Sequence, residues 1–144
     1  PKMTSLSQVS INNGKKTYDF ALSSKDVTST DNEGSETTTT QTSVKCDDKE
    51  IELSYFSTLF QNISYTELAD LDSESASGTP VLTITYTYSS DKSSDTVSFY
   101  ETGANRYVAS VNGTSVGHVH KSNINKAVNQ VVDVAANKQI DSVF

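Results

Sequence analysis

The sequence predicts an α+β fold: antiparallel hairpins followed by one amphipathic helix, with that pattern present twice in a single domain. Three observations predict it. First, Asn112 and Gly113 stand between two runs rich in β-branched residues, and both tolerate the positive φ that a two-residue type I′ hairpin turn demands. Second, Ile124, Ala127, Val128, Val131, Val132 and Ala135 recur at the spacing of one helical face, the signature of a helix that covers a sheet. Third, a blurred copy of this hairpin-then-helix order lies earlier in the chain.

The first repeat spans about residues 6–71. Residues 6–12 read as a strand with Val9 and Ile11 on one face. Asn12, Asn13, Gly14 and Lys15 form a turn. Residues 17–22 form the return strand, with Tyr18, Phe20 and Leu22 on one face. Residues 23–36 are polar without periodicity and are expected to form a long loop. The Thr-rich residues 37–46 suit a pleated edge strand, because β-branched side chains fit there. Asp47 and Asp48 make a turn, and residues 49–52 a short return strand. From about Ser54, the spacing of Phe56, Leu59, Phe60 and Ile63 predicts a helix ending near residues 62–64. Tyr65, Leu68 and Leu71 are expected in a short irregular or helical segment that closes the core.

The second repeat spans about residues 80–140 and follows a linker-like stretch at residues 72–79. After Pro80, Leu82, Ile84, Tyr86 and Tyr88 alternate with polar residues along one strand. Residues 89–95 turn the chain, and Val97 and Phe99 mark the return strand. Residues 102–105, with Gly103, lead into the Asn-Gly hairpin. Ser122 is the expected N-cap of the last helix, its hydroxyl accepting from an amide of the first turn. Asn123, Asn125, Lys126, Asn129, Gln130 and Asp133 take its wet side. A repeat of about 65 residues is marginal alone, so the two are expected to share one core.

Composition narrows the function. The chain has 144 residues, a formal net charge of −7 and a single cysteine. An acidic surface repels phosphate, which argues against nucleic acid and against an anionic membrane surface. No apolar run reaches the ~20 residues of a membrane span, so direct membrane insertion by this segment is not expected. Cys46 allows no intramolecular disulfide. Its acidic neighbours disfavour a thiolate, so a buried structural role is expected.

Candidate chemistry is sparse. His118 and His120 share one strand face and could reach one metal, but two ligands make no site, and an exposed strand end is the expected reading. Asp70, Asp72 and Glu74 open like a calcium loop. Ser75 then stands where Gly is needed and Val81 where Glu is needed, so the pattern fails. Tyr86, Tyr88, Tyr100 and Tyr107 could present a sugar- or peptide-binding surface. Packing beneath a helix is the expected reading for them. No phosphate loop or nucleophile elbow is present in the sequence. No catalytic, cofactor-binding or metal-ligating set emerges, no cofactor is expected, and the ligand-binding residues stay unassigned.

The stretches VKCDDKEIELSYFSTLFQNIS, PVLTITYTYSSDKSSDTVSFY and RYVASVNGTSVGHVHKSNINKAV resemble the bacterial family called domain of unknown function 4340. The shared pattern is a return strand, a Phe-containing helix, a long hairpin and a final strand pair with an Asn-Gly turn. The Thr-rich insert before Val44 departs from it. The resemblance implies an extracytoplasmic domain, anchored by an N-terminal segment absent from this chain. It also implies partners among membrane transporters or cell-envelope proteins. The expected function is a non-enzymatic protein-binding or transporter-associated module. The alternative is a carbohydrate- or peptide-binding receptor domain or a cell-surface enzyme.

Overall fold

A computed structural model describes residues 5–64, 78–101 and 106–142, together with the backbone of residues 68–70. The described elements run β1 (Leu6–Asn12), β2 (Thr17–Thr30), β3 (Glu36–Cys46), β4 (Lys49–Ile51), α1 (Leu53–Ser64), β5 (Leu68–Asp70), β6 (Leu82–Tyr88), β7 (Ser94–Glu101), β8 (Arg106–Val111), β9 (Thr114–His120) and α2 (Lys121–Ala135). The fold is α+β, as the hairpin and helix patterns predict.

Among the described residues one antiparallel sheet has nine strands in the order β4-β3-β2-β1-β6-β7-β8-β9-β5. Two meanders meet where β1 pairs with β6, with Ile11 opposite Ile84. Two-residue turns close both outer hairpins. Asp47 and Asp48 have φ of 51° and 64°, and Asn112 and Gly113 have 50° and 86°. Aspartate and asparagine are among the few side chains that enter this left-handed region readily.

Both helices cover one face of the sheet. Val9, Ile11, Phe20, Leu22, Val44, Leu82, Ile84 and Phe99 point into the same core as Phe56, Leu59, Ile63, Ile124, Ala127 and Val131. Phe20 and Phe56 rings lie 5.1 Å apart. Phe60 meets Tyr86 edge-on at 6.0 Å, a favoured aromatic geometry. Tyr86 Oη lies 3.0 Å from Ser64 Oγ, and Asn62 Nδ2 donates to Gln130 Oε1 at 2.9 Å between the helices.

Four expectations need correction. Residues 23–30 are strand rather than loop, because each finds a partner on β3, from Ser23 opposite Ser43 to Thr30 opposite Glu36. Polarity without periodicity is what a ribbon exposed on both faces looks like. Residues 68–70 form a strand paired with β9, not an irregular or helical segment. Tyr65 and Leu71 of that expectation, and residues 102–105, lie outside the described residues. Ser122 is not the N-cap. β9 runs directly into α2, so His120, with φ −68° and ψ 127°, takes that position and makes no side-chain cap bond. The buried stripe of α2 is Ile124, Ala127, Val131 and Val134, while Val132 is 44% exposed. The helix is rotated so that Val134 takes the place expected for Val132.

The end of α2 is closed by Asn137 at φ 59°. Lys138 N–H donates to Asp133 O and Asn137 N–H to Val134 O, both at 2.8 Å. That is a Schellman cap with asparagine in the usual glycine place. Asn137 Oδ1 also accepts from Glu52 N–H at 2.7 Å, which ties this end to the entry of α1.

Candidate functional site

His118 and His120 share a strand face, as their spacing requires, but not an environment. His118 is buried at 7% exposure and sits opposite Val108. His120 is exposed and starts α2. Both cannot be described as an exposed strand end. Among the described residues no group of three or more His, Cys, Asp or Glu is disposed to hold a metal. Asp70 lies in β5, and Asp72 and Glu74 lie outside the described residues.

The tyrosines divide. Tyr86 and Tyr107 are buried beneath the helices. Tyr107 Oη donates to Asn125 Oδ1 at 2.8 Å, and burial pushes the Tyr86 phenol up to about 12. Tyr88 Oη donates to Asp95 Oδ2 at 2.6 Å. Asn112 Nδ2 donates to the other carboxylate oxygen at 3.0 Å. These two bonds hold the Asp95 carboxyl below its usual range, that from Tyr88 foremost. Asn112 Oδ1 accepts from Thr96 N–H, so this network locks the Asn-Gly turn onto β7. Cys46 is buried, at 3% exposure, and burial with the nearby Asp47 raises its thiol pKa. These groups are structural in their contacts.

What stands out is an arm. β1 pairs with β2 only through Ala21, and β4 pairs with β3 only from Val44 onward. Residues 23–30 and 36–43 continue past both neighbours as a two-stranded ribbon. Every residue in it is exposed except Val27 and Thr42, which are half-buried. Cross-strand hydroxyls hold its faces together: Ser23 to Ser43 at 2.8 Å, Ser24 to Thr42 at 3.1 Å and Thr28 to Thr38 at 3.1 Å. Thr40 Oγ1 donates to Asp26 Oδ1 at 3.0 Å.

Asp31 caps the tip. Its N–H donates to Ser35 O, its carbonyl accepts from Gly34 N–H, and its Oδ1 accepts from Glu33 and Ser35 N–H. Gly34 has φ +83°, the left-handed bulge position of such a hairpin.

Both ends of the ribbon fix which backbone groups face outward. The two-residue turn at Asp47-Asp48 makes Cys46 and Lys49 a mutually hydrogen-bonded pair. Bonding toward β4 then alternates back along β3 through Val44, Thr42, Thr40 and Thr38. The tip hairpin gives the same parity, since Asp31 and Ser35 bond each other and odd-numbered residues of β3 bond β2. Among the described residues no strand takes the outward N–H and C=O groups of Thr38, Thr40 and Thr42.

Surface depressions follow this edge. One is lined by Ser23, Lys25, Gln41, Thr42, Ser43 and Glu50. Another is lined by Thr42, Ser43, Glu50, Ile51, Glu52 and Asn137. A third, on the open sheet face, is lined by Ser10, Asn12, Thr17, Pro80, Thr83 and Thr85. None of the three is lined by tyrosine. The sequence showed the Thr run and its β propensity. It did not show the arm, because nothing in residues 23–30 alternates.

No family model matches the chain, and the comparisons with curated proteins and with solved structures found no match either.

Proposed function

We propose that this chain is a non-enzymatic protein-binding module that acts outside the cytoplasm, and that its contact surface is the β2–β3 arm. The single observation that carries this reading is a ribbon with two bare edges that buries almost nothing of itself. A free two-stranded ribbon is marginally stable in water, and bare edges are a liability that proteins usually blunt with bulges, prolines or charge. Keeping a long, uncharged edge is explained by a partner that pairs with it. The resemblance to the domain of unknown function 4340 family points to a transporter or other envelope protein as that partner. The three depressions described above are not lined by tyrosine, so they do not favour the tyrosine-based carbohydrate alternative.

We also propose that the domain arose by duplication. Apart from β5, which adds beyond β9, the sheet order reads outward symmetrically from the β1–β6 pair, and each four-strand meander is followed by one helix. The first half carries the extra length of the arm, so the arm would be a later elaboration.

The test is a cross-linked pull-down from membranes of the source cell, read by mass spectrometry. It compares the full chain with a variant in which Asn-Gly replaces residues 24–42. The reading expects an envelope partner with the full chain and its loss with the variant. Equal recovery with both proteins would remove the arm from the function.

A further inference from the structure

We infer that the arm binds by strand addition on its β3 edge, and that the segment it takes is extended, uncharged and β-prone in its middle and basic at its ends. This rests on the reading of the arm as a contact surface and adds the mode and the chemistry.

The two edges of the ribbon differ. On β2, Lys25 and Asp26 sit in the middle of the free stretch, and a charge in the middle of an edge discourages strand addition. On β3, residues 37–43 carry no charge at all. The β3 edge also has a ready-made continuation. β4 ends at Ile51, and the outward groups of Thr42, Thr40 and Thr38 continue its line along the sheet. An added strand would lie end to end with β4. The depressions at Thr42, Ser43, Glu50 and Glu52 mark where its side chains would sit.

Charge selects the occupant. The uncharged edge runs between a purely acidic tip and a base where Glu50 and Glu52 lie nearest its line. Asp31, Glu33 and Glu36 stand at the tip without a lysine or arginine among residues 31–36, and Glu50 and Glu52 at the base, where Lys45 lies opposite Glu50 and Lys49 beside it, all exposed. Among the described residues none of these five has a cationic side chain in ion-pair contact. From Glu36 to Ser43 the strand rises roughly 24 Å, at about 3.4 Å per residue. A second copy pairing antiparallel on this edge would bring its acidic tip to this base, and like charges would meet at both ends. A segment with Lys or Arg at each end of an uncharged middle meets opposite charge at both. Main-chain bonds then supply affinity, and alternate side chains with terminal charge supply selectivity.

The probe is a synthetic peptide with TVTITVT between Lys-Arg and Arg-Lys ends, titrated into the full chain by calorimetry. Binding is expected to weaken as salt rises. Thr40→Pro removes one outward N–H and no backbone bond between β2 and β3, together with the exposed Thr40–Asp26 side-chain bond, a change an edge strand tolerates. It is expected to weaken binding at least about tenfold, with a Tm no lower than that of Thr28→Pro, which loses the comparable Thr28–Thr38 bond. Thr28→Pro, the same change on the β2 edge, should leave affinity intact. Thr40→Lys keeps the N–H and should weaken binding by placing a positive charge on the edge.

Unchanged affinity in Thr40→Pro, or loss confined to Thr28→Pro, overturns the assignment. Equal binding of a peptide with Glu in place of the four basic residues overturns the charge argument. Self-association of the chain that Thr40→Pro abolishes, without peptide binding, gives the edge to a second copy and overturns the proposal. Failure here is distinct from failure of the wider reading. If truncation of the arm loses the envelope partner while Thr40→Pro keeps it, only strand addition falls.

Discussion

Replacing residues 24–42 by Asn-Gly is expected to leave the stability of the domain almost unchanged. The perturbation is large in sequence and small in contacts. Ser23 and Ser43 are opposite one another, and by the parity of the ribbon they form a hydrogen-bonded pair, so a two-residue turn joins them without strain. The variant loses the Ser24–Thr42, Thr28–Thr38 and Thr40–Asp26 contacts. Exposed cross-strand pairs contribute roughly 0.2–1 kcal/mol each, so three together stabilise by about 3 kcal/mol at most. Ordering the removed backbone costs about 1–2 kcal/mol per residue, offset only by solvent-exposed ladder bonds. No buried core residue lies in the removed stretch, in which only Val27 and Thr42 are half-buried. The net change is expected within about 1 kcal/mol, against the ~3–5 kcal/mol of a buried Phe→Ala change. Urea unfolding followed by circular dichroism measures it, with an unchanged m-value because little apolar surface is involved. A loss above about 2 kcal/mol, well beyond the ±0.5 kcal/mol of ordinary surface changes, would mean that the arm packs on the domain, and the reasoning would fail.

Four further outcomes are expected. Phe56→Ala removes a fully buried ring between Phe20 and Phe60, and urea melts should show a loss of about 3–5 kcal/mol. Folding raises the Tyr86 pKa from 10 to about 12. The stability this brings is full below pH 10 and is lost as pH rises toward 12, so Tyr86→Phe should flatten the alkaline limb of a stability–pH curve. Asp95 is shifted the other way by its bonds to Tyr88 and Asn112. Its contribution is present above the ordinary carboxyl pKa and lost as pH falls through the depressed value; Asp95→Asn should shrink the acid limb, and an unaltered limb would contradict the network. Cys46, buried with a raised thiol pKa, should react with a thiol reagent only at the rate of unfolding, and fast labelling of native protein would count against its burial.

Most strands were legible where one face is buried. Val9 and Ile11, Phe20 and Leu22, and Leu82, Ile84 and Tyr86 all point inward as their alternation implies. The turns were legible from Asn-Gly and Asp-Asp, since few other pairs adopt positive φ twice. The arm was hidden because alternation reports burial, and residues 23–30 have no buried face to report. The start of α2 was misread because Ser122 is a good cap by type, yet pairing of His120 with Arg106 carries β9 to the edge of the helix. Asn137 gave no local signal for its double role. Its contact with Glu52 joins residues far apart in sequence. His118 and His120 match in face but not in burial, which a single strand's pattern does not encode.

The most direct test of the account is amide hydrogen exchange of the full chain by NMR across residues 36–46. A formed ribbon with one bare edge predicts alternation: Thr37, Thr39 and Gln41 protected by β2, and Thr38, Thr40 and Thr42 exchanging fast. Adding the basic-ended peptide should then slow Thr38, Thr40 and Thr42 selectively. Uniformly fast exchange from Thr37 to Thr42 would show that the ribbon does not form, and the arm, its free edge and the binding mode would fall together.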